Sequence, residues 1–318
     1  MRRRKLLIVI FFLATFFVVP AHSNELVGEI LFYSEAQKGG QLYILNLESK
    51  TIRPVGRSGS RPDHYPRWSH DGKKIVFESY RAGGWHPWMM NADGSGARRI
   101  SNAPAYNTKF YEFDPSFAPD GNTIIFVRNF DLYSVTLSDE TPRRIGRPTQ
   151  ELLESSPVFS PDMKRIAFDA YRREDETVHI YIVHSDGDAL QQLTMGESKN
   201  MAPVWSPDGS KILFYSDRDG SMELYEIEVS SKEIRKVIQA KAAKEAGFTK
   251  AALVDPWDND NGATLQYRAS YSPDGRWIVF SRDINRDREL FITNAAGTEI
   301  RQILSQKGHD GFPEWRPN

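Results

Sequence analysis

Apolar and polar residues alternate along this chain in short runs, and one pattern of alternation returns from end to end. Its fullest form is Pro203-Val204-Trp205-Ser206-Pro207-Asp208-Gly209-Ser210-Lys211-Ile212-Leu213-Phe214. Two apolar runs flank a polar turn, so the line predicts a β-hairpin: Val204 to Ser206 as one strand, Ile212 to Phe214 as the start of the return strand. The turn residues each have a reason. The Ser hydroxyl bonds the turn backbone, Pro presets φ, Asp tolerates the third position, and Gly takes a left-handed fourth.

The line recurs at Pro66 to Gly72, Pro115 to Gly121, Pro157 to Met163 and Ala269 to Gly275, and the chain stops within a further copy, Pro313-Glu314-Trp315-Arg316-Pro317. Its first-strand aromatics stand at 68, 117, 159, 205, 271 and 315, at spacings of 49, 42, 46, 66 and 44. Between copies the pattern predicts third strands (Leu42-Tyr43, Leu132-Tyr133, Ile180-Tyr181, Leu224-Tyr225, Leu290-Phe291). Short fourth strands carry polar pairs such as Arg98-Arg99, Arg143-Arg144 and Gln191-Gln192. Four strands at a period of 40 to 50 residues are the signature of a propeller blade. The fold expected is all-β: a six-bladed propeller in which Pro313 to Trp315 joins the first blade, whose other strands are Glu29 to Tyr33, Gln41 to Leu47 and Thr51 to Val55. Basic pairs on the outermost strands read as protection of free edges rather than as a phosphate groove.

The one long interval holds an insertion at about 239–262. Ala240 to Leu253 predicts a short helix, and Asp255 to Gly262 imitates a calcium loop without the acidic twelfth ligand, so it reads as a solvated turn.

The first 23 residues differ from everything after them. Arg2-Arg3-Arg4-Lys5, an apolar run from Leu6 to Val19, Pro20 and Ala21-His22-Ser23 predict a secretory signal removed before Asn24. A 14-residue helix spans about 21 Å, short of the roughly 30 Å of hydrocarbon that a membrane anchor must cross. The expected domains are therefore 1–23 as signal and 24–318 as propeller, giving a periplasmic or secreted protein with no stable membrane insertion. Loss of four basic residues leaves 37 basic against 42 acidic, a formal charge of −5, which argues against nucleic acid as a partner. There is no cysteine, so neither disulfides, thiol chemistry nor a lipidated cysteine is available.

Several Pro-x-aromatic-x-Pro-Asp lines in register resemble the propeller of the TolB-type family, over residues 28 to 318. WD-type repeats fit less well, since neither Gly-His openings nor Trp-Asp endings occur. The resemblance implies a periplasmic protein that binds protein partners at the propeller face, among them a peptidoglycan-associated lipoprotein. The chain departs from that family's pattern by lacking its N-terminal α/β domain, which leaves a stand-alone propeller.

Catalytic motifs are scarce. No Gly-x-Ser-x-Gly elbow and no His-Glu-x-x-His occurs, His179 and His184 fall on opposite faces of a strand, and Asp217 with Asp219 belongs to a turn. One column remains. Five residues before each first-strand aromatic stand Asp63, Glu112, Glu154, Asn200, Gln266 and Asp310, with Arg268 close by. Polar residues there cap turns, and that is the ordinary reading. Six-fold repetition also makes the column a candidate ring at the channel mouth, where converging carboxylates would favour a cation or a basic partner segment. No cofactor is expected, but a divalent cation on His64, His309, Asp63 and Asp310 is the metal alternative. Oligogalacturonate lyases resemble this propeller and use such a metal, so a polysaccharide lyase is the runner-up to a non-catalytic binding or scaffolding module of the cell envelope.

Overall fold

The structure, a computed structural model, describes residues 26–36, 40–57, 63–101, 111–146, 151–248, 267–284 and 287–317. The signal segment 1–23, the calcium-like loop 255–262 and Gln266 lie outside them.

The first blade takes β1 (Glu29–Ser34), β2 (Gln41–Asn46) and β3 (Ile52–Val55). The second has β4 (His64–Trp68), β5 (Lys74–Ser79), β6 (His86–Asn91) and β7 (Arg98–Arg99). The third has β8 (Glu112–Phe117), β9 (Thr123–Arg128), β10 (Asp131–Thr136) and β11 (Arg143–Arg144). The fourth has β12 (Leu152–Phe159), β13 (Arg165–Arg172), β14 (Thr177–His184) and β15 (Gln191–Gln192). The fifth has β16 (Asn200–Trp205), β17 (Lys211–Ser216), β18 (Glu223–Glu228) and β19 (Ile234–Lys236), followed by helix α1 (Ala240–Glu245). The sixth has β20 (Ala269–Tyr271), β21 (Trp277–Ile284), β22 (Asp287–Asn294) and β23 (Ile300–Leu304). Strand β24 (Asp310–Trp315) then pairs antiparallel with β1, so that six four-stranded sheets close into a ring. The expected propeller and its closure are both present. Among the described residues no helix is long and apolar enough to cross a membrane.

The turn chemistry is as the sequence implies. Ser206 Oγ donates to Asp208 Oδ1 at 2.6 Å and accepts from the Lys211 amide at 3.0 Å, while Gly209 sits at φ +70°. The Ser–Asp bond recurs at Ser69–Asp71, Ser160–Asp162 and Ser272–Asp274. Each second strand places one Phe fully inside: Phe32, Phe77, Phe126, Phe168, Phe214 and Phe280. Each faces the third-strand aromatic across the ladder, as in Phe32↔Tyr43 and Phe168↔Tyr181, both at 5.7 Å between ring centroids. Such pairs add about 0.5–1.5 kcal/mol beyond their buried area.

Proline shapes the inner strands. Having no N–H to give the ladder, it belongs in a strand only at a bulge or edge. Pro66, Pro115, Pro157, Pro203 and Pro313 each follow a left-handed residue, namely Tyr65, Asp114, Ser156, Ala202 and Phe312 with φ between +48° and +55°. The register slips at each of these points. At three of these bulges the amide of the left-handed residue, Asp114, Ser156 or Ala202, bonds a carboxylate of the preceding blade.

Candidate functional site

The column singled out in the sequence is a set of clasps between blades. Asp63, Glu112, Asn200 and Asp310 are all fully buried. Glu112 Oε1 accepts from Arg128 Nε at 2.9 Å and Nη2 at 2.6 Å within its own blade. Its Oε2 meets His86 Nδ1 at 2.8 Å and the Ser101 hydroxyl, both from the blade before. Asn200 repeats the arrangement with Arg218 Nη2 at 2.8 Å and His179 Nδ1 at 3.3 Å. Asp63 takes Arg81 and the Arg57 amide, and Asp310 accepts from Gln306 Nε2 at 2.9 Å. Arg81, Arg128 and Arg218 each lie over the Phe–aromatic pair of their own blade, 4.7–5.6 Å from the ring centroids. These side chains point into the seams between sheets and bond there. They do not converge on the axis.

Glu154 is the exception within the column. On the paired strand Glu154 faces Ala170, and Arg172, two residues on, bonds Asp175 in the adjacent turn instead. Among the described residues Glu154 keeps only the Leu132 amide, donated to Oε2 at 2.7 Å. Burial, reinforced by the charge of Asp131, pushes its carboxyl up to about 7, against the pull of that amide and of Arg144. The folded-state value stands above the ordinary 4.5, so this group costs nothing below pH 4.5 and weakens the fold as pH rises toward 7. Glu154→Gln should therefore match wild type at pH 4 and exceed it by about 1–2 kcal/mol at pH 8, read from denaturant midpoints. A difference that is the same at both pH values would show that Glu154 does not carry the titration.

The two histidines proposed for metal do not gather acids. His64 lies between the rings of Tyr33 (4.6 Å) and Trp85 (5.2 Å), and burial lowers its pKa to about 4. The His309 carbonyl accepts from the Glu35 amide. Among the described residues no group of three or more His, Asp or Glu stands close enough to hold a metal ion.

The axis is occupied by other residues. From the face that carries the blade-to-blade loops, the Tyr65 and Phe312 rings meet at 4.2 Å, and Arg268 lies over both, at 6.0 and 5.5 Å. Arg268, expected at the mouth, is thus buried inside the channel as part of a stopper. Next to it stand side chains that the column count passed over: Arg67, Glu78, Asp114 and Asp169, with Glu314 partly open. Their carboxylates hold the bulges. Glu78 Oε1 accepts the Asp114 amide (2.6 Å), Asp114 Oδ2 the Ser156 amide (2.9 Å), Asp169 Oδ1 the Ala202 amide (3.2 Å), and Glu314 Oε2 the Trp68 amide (2.6 Å). Burial pushes Glu78 and Glu314 up and brings Asp169 to about 6. Their columns mix charged, apolar and small residues from blade to blade, so repetition in the sequence does not single them out.

From the opposite face, which carries the Ser-Pro-Asp-Gly turns, the channel opens as a funnel of about 460 Å³. All six blades line it at equivalent positions. Its rim is His70, Pro119, Pro161, Pro207, Pro273 and Pro317, and its wall is Trp68, Phe117, Phe159, Trp205, Tyr271 and Trp315. Its floor is Arg67, Ser116, Val158, Val204, Ser270 and Glu314.

A family model described as the TolB beta propeller domain matches residues 139–251. Over that segment the chain is similar to the TolB beta propeller domain, and its six blades share that fold. The uncharacterized peptidase YuxL of Bacillus subtilis is 27% identical over 202 residues, which cover 54% of this chain and 29% of that protein. The Tol-Pal system protein TolB of Francisella tularensis is 25% identical over 279 residues, 87% of this chain and 48% of that protein. The chain therefore spans half or less of the length of both. The crystal structure of TolB from Acinetobacter baumannii shares the fold, with a TM-score of 0.73 at 20% identity over 92% of this chain and 67% of that one.

Proposed function

We propose that this protein is an exported, non-catalytic binding module of the bacterial cell envelope, whose partner inserts into the turn-face funnel. The observation that carries this reading is the funnel itself: one concave site shared by six blades, with apolar walls and a few polar groups at its base, which is the usual build of a binding pocket. The polar column supports it from the other side, since Asp63, Glu112 and Glu154 are already bonded to arginines or backbone amides inside the seams. The relatives named TolB belong by that name to a Tol-Pal system. A periplasmic protein partner, with a peptidoglycan-associated lipoprotein as the first candidate, follows from that likeness.

The test is affinity capture from periplasm with wild type and with Val204→Trp, which fills the funnel from a partly exposed floor position. One envelope protein should be retained by wild type and lost with Val204→Trp at unchanged melting temperature. Equal retention by both would remove the funnel from consideration.

A further inference from the structure

The base of the funnel holds a guanidinium that forms no ion pair among the described residues. Arg67 is 4% exposed, and its Nε is buried without a hydrogen-bond partner among the described residues. No carboxylate closes on it as an ion pair there, although Glu314 and Asp114 act on it from farther away. The contrast with the rest of the molecule is sharp: Arg81, Arg128, Arg218 and Arg282 each bond a carboxylate or an amide oxygen. Burying a charged group without partners is among the costlier things a fold can do, and it persists where a ligand completes the site. Burial, then the neighbouring charge of Arg268, lowers the Arg67 pKa to about 9, the direction expected of a cation short of counter-charge.

We propose that the funnel floor is a carboxylate site, which takes the free C-terminal carboxylate of an extended peptide on the Arg67 guanidinium. This rests on the funnel reading and narrows it. Arg supplies a planar fork that matches a carboxylate bidentately, and Ser116 adds a hydroxyl on the same floor. Beyond the floor the Tyr65 and Phe312 rings and the buried Arg268 crowd together, which favours a chain end at Arg67 over a chain that threads past it. Glu314 on the same floor already accepts the Trp68 amide, and burial raises its pKa, which reduces its repulsion of an incoming anion. Prolines and aromatics on the rim and wall suit the apolar edge of an extended backbone.

Trp68, Trp205 and Trp315 line the funnel, so binding is read from tryptophan fluorescence on the full mature chain. The probes are a pool of N-acetylated tetrapeptides with free C-termini, the same pool amidated, and trigalacturonate as a sugar acid. The acid pool should bind about 10- to 100-fold more tightly than the amide pool, as charge-assisted hydrogen bonds predict. Arg67→Met should erase that preference without lowering the melting temperature, since it removes a buried charge that forms no ion pair among the described residues. A merely structural arginine would behave oppositely, and a fall of several degrees in Arg67→Met would overturn the assignment. So would absence of saturable binding by the acid pool at millimolar concentration, or tighter binding of trigalacturonate. If acid and amide bind equally and Val204→Trp blocks both, the funnel stands and the carboxylate site falls. If Val204→Trp blocks neither, the funnel itself is not the site.

Discussion

Deleting residues 313–318 is expected to open the ring and lower the melting temperature by well over the effect of any single core substitution. The segment bonds three blades at once. Trp315 and Glu314 pair with Ile30 and Leu31 of the first blade, and the Arg316 amide donates to the Glu29 carbonyl at 2.8 Å. The Arg316 guanidinium bonds Glu29 at 2.5 Å, donates to the Gly72 carbonyl of the second blade at 3.0 Å, and lies 5.0 Å over the Trp68 ring. Trp315 itself is buried in one cluster with Val279, Leu290 and Ile292 of the sixth blade. Trp315→Ala alone should cost about 3–5 kcal/mol, as large aromatic truncations do. At roughly 2–4 °C per kcal/mol, that is about 6–20 °C in Tm. The deletion adds to this the loss of the β1 partner, and leaves the inner edge of the first blade open for pairing with another chain. Calorimetry with light scattering checks both parts: a lower Tm and concentration-dependent association. An unchanged Tm in the deletion protein would mean that the ring closes without this strand.

That closure was legible because hairpin grammar is local. Ser206, Pro207, Asp208 and Gly209 state their turn within four residues, and a half-copy ending at Trp315 states that a partner is missing at the other end. The column at Asp63, Glu112 and Asn200 was legible as a repeat but not in its direction. The bulges at Pro66, Pro115 and Pro203 reset which side chains face the axis, and alternation alone does not reveal a one-residue slip. A charge in register with five polar counterparts looks like a ring, whereas Arg81, Arg128 and Arg218 show it to be a clasp. Arg67 was hidden for the opposite reason. It breaks its own column, where Ser116, Val158, Val204 and Ser270 stand, so repetition could not flag it. Only burial and the lack of a partner do so, and these exist in three dimensions alone.

The clasp yields the second large effect, at Glu112. Its carboxylate is fully buried and satisfies Arg128, His86 and Ser101 together. Burial acts to raise its pKa, but hydrogen bonds from His86, Ser101 and Arg128 outweigh it and hold the carboxyl below its usual range. Removing one partner of such a network leaves the others desolvated, which typically costs about 3–5 kcal/mol. Glu112→Ala should therefore lose about 6–20 °C in Tm. Glu112→Gln, which keeps an acceptor for Arg128, should lose less. The pH dependence separates charge from shape. With its folded-state pKa lowered, Glu112 contributes stability that is fully present above the ordinary 4.5 and lost as pH falls through the folded value. Wild type should thus weaken below pH 4 along a slope that Glu112→Gln lacks. Asn200→Ala in the corresponding clasp leaves Glu112 in place and should run parallel to wild type at lower stability, because Asn200 carries no proton to lose. Denaturant midpoints of the three proteins from pH 3 to pH 7 decide the matter. Parallel curves for wild type and Glu112→Gln would show that the clasp holds by shape and not by charge.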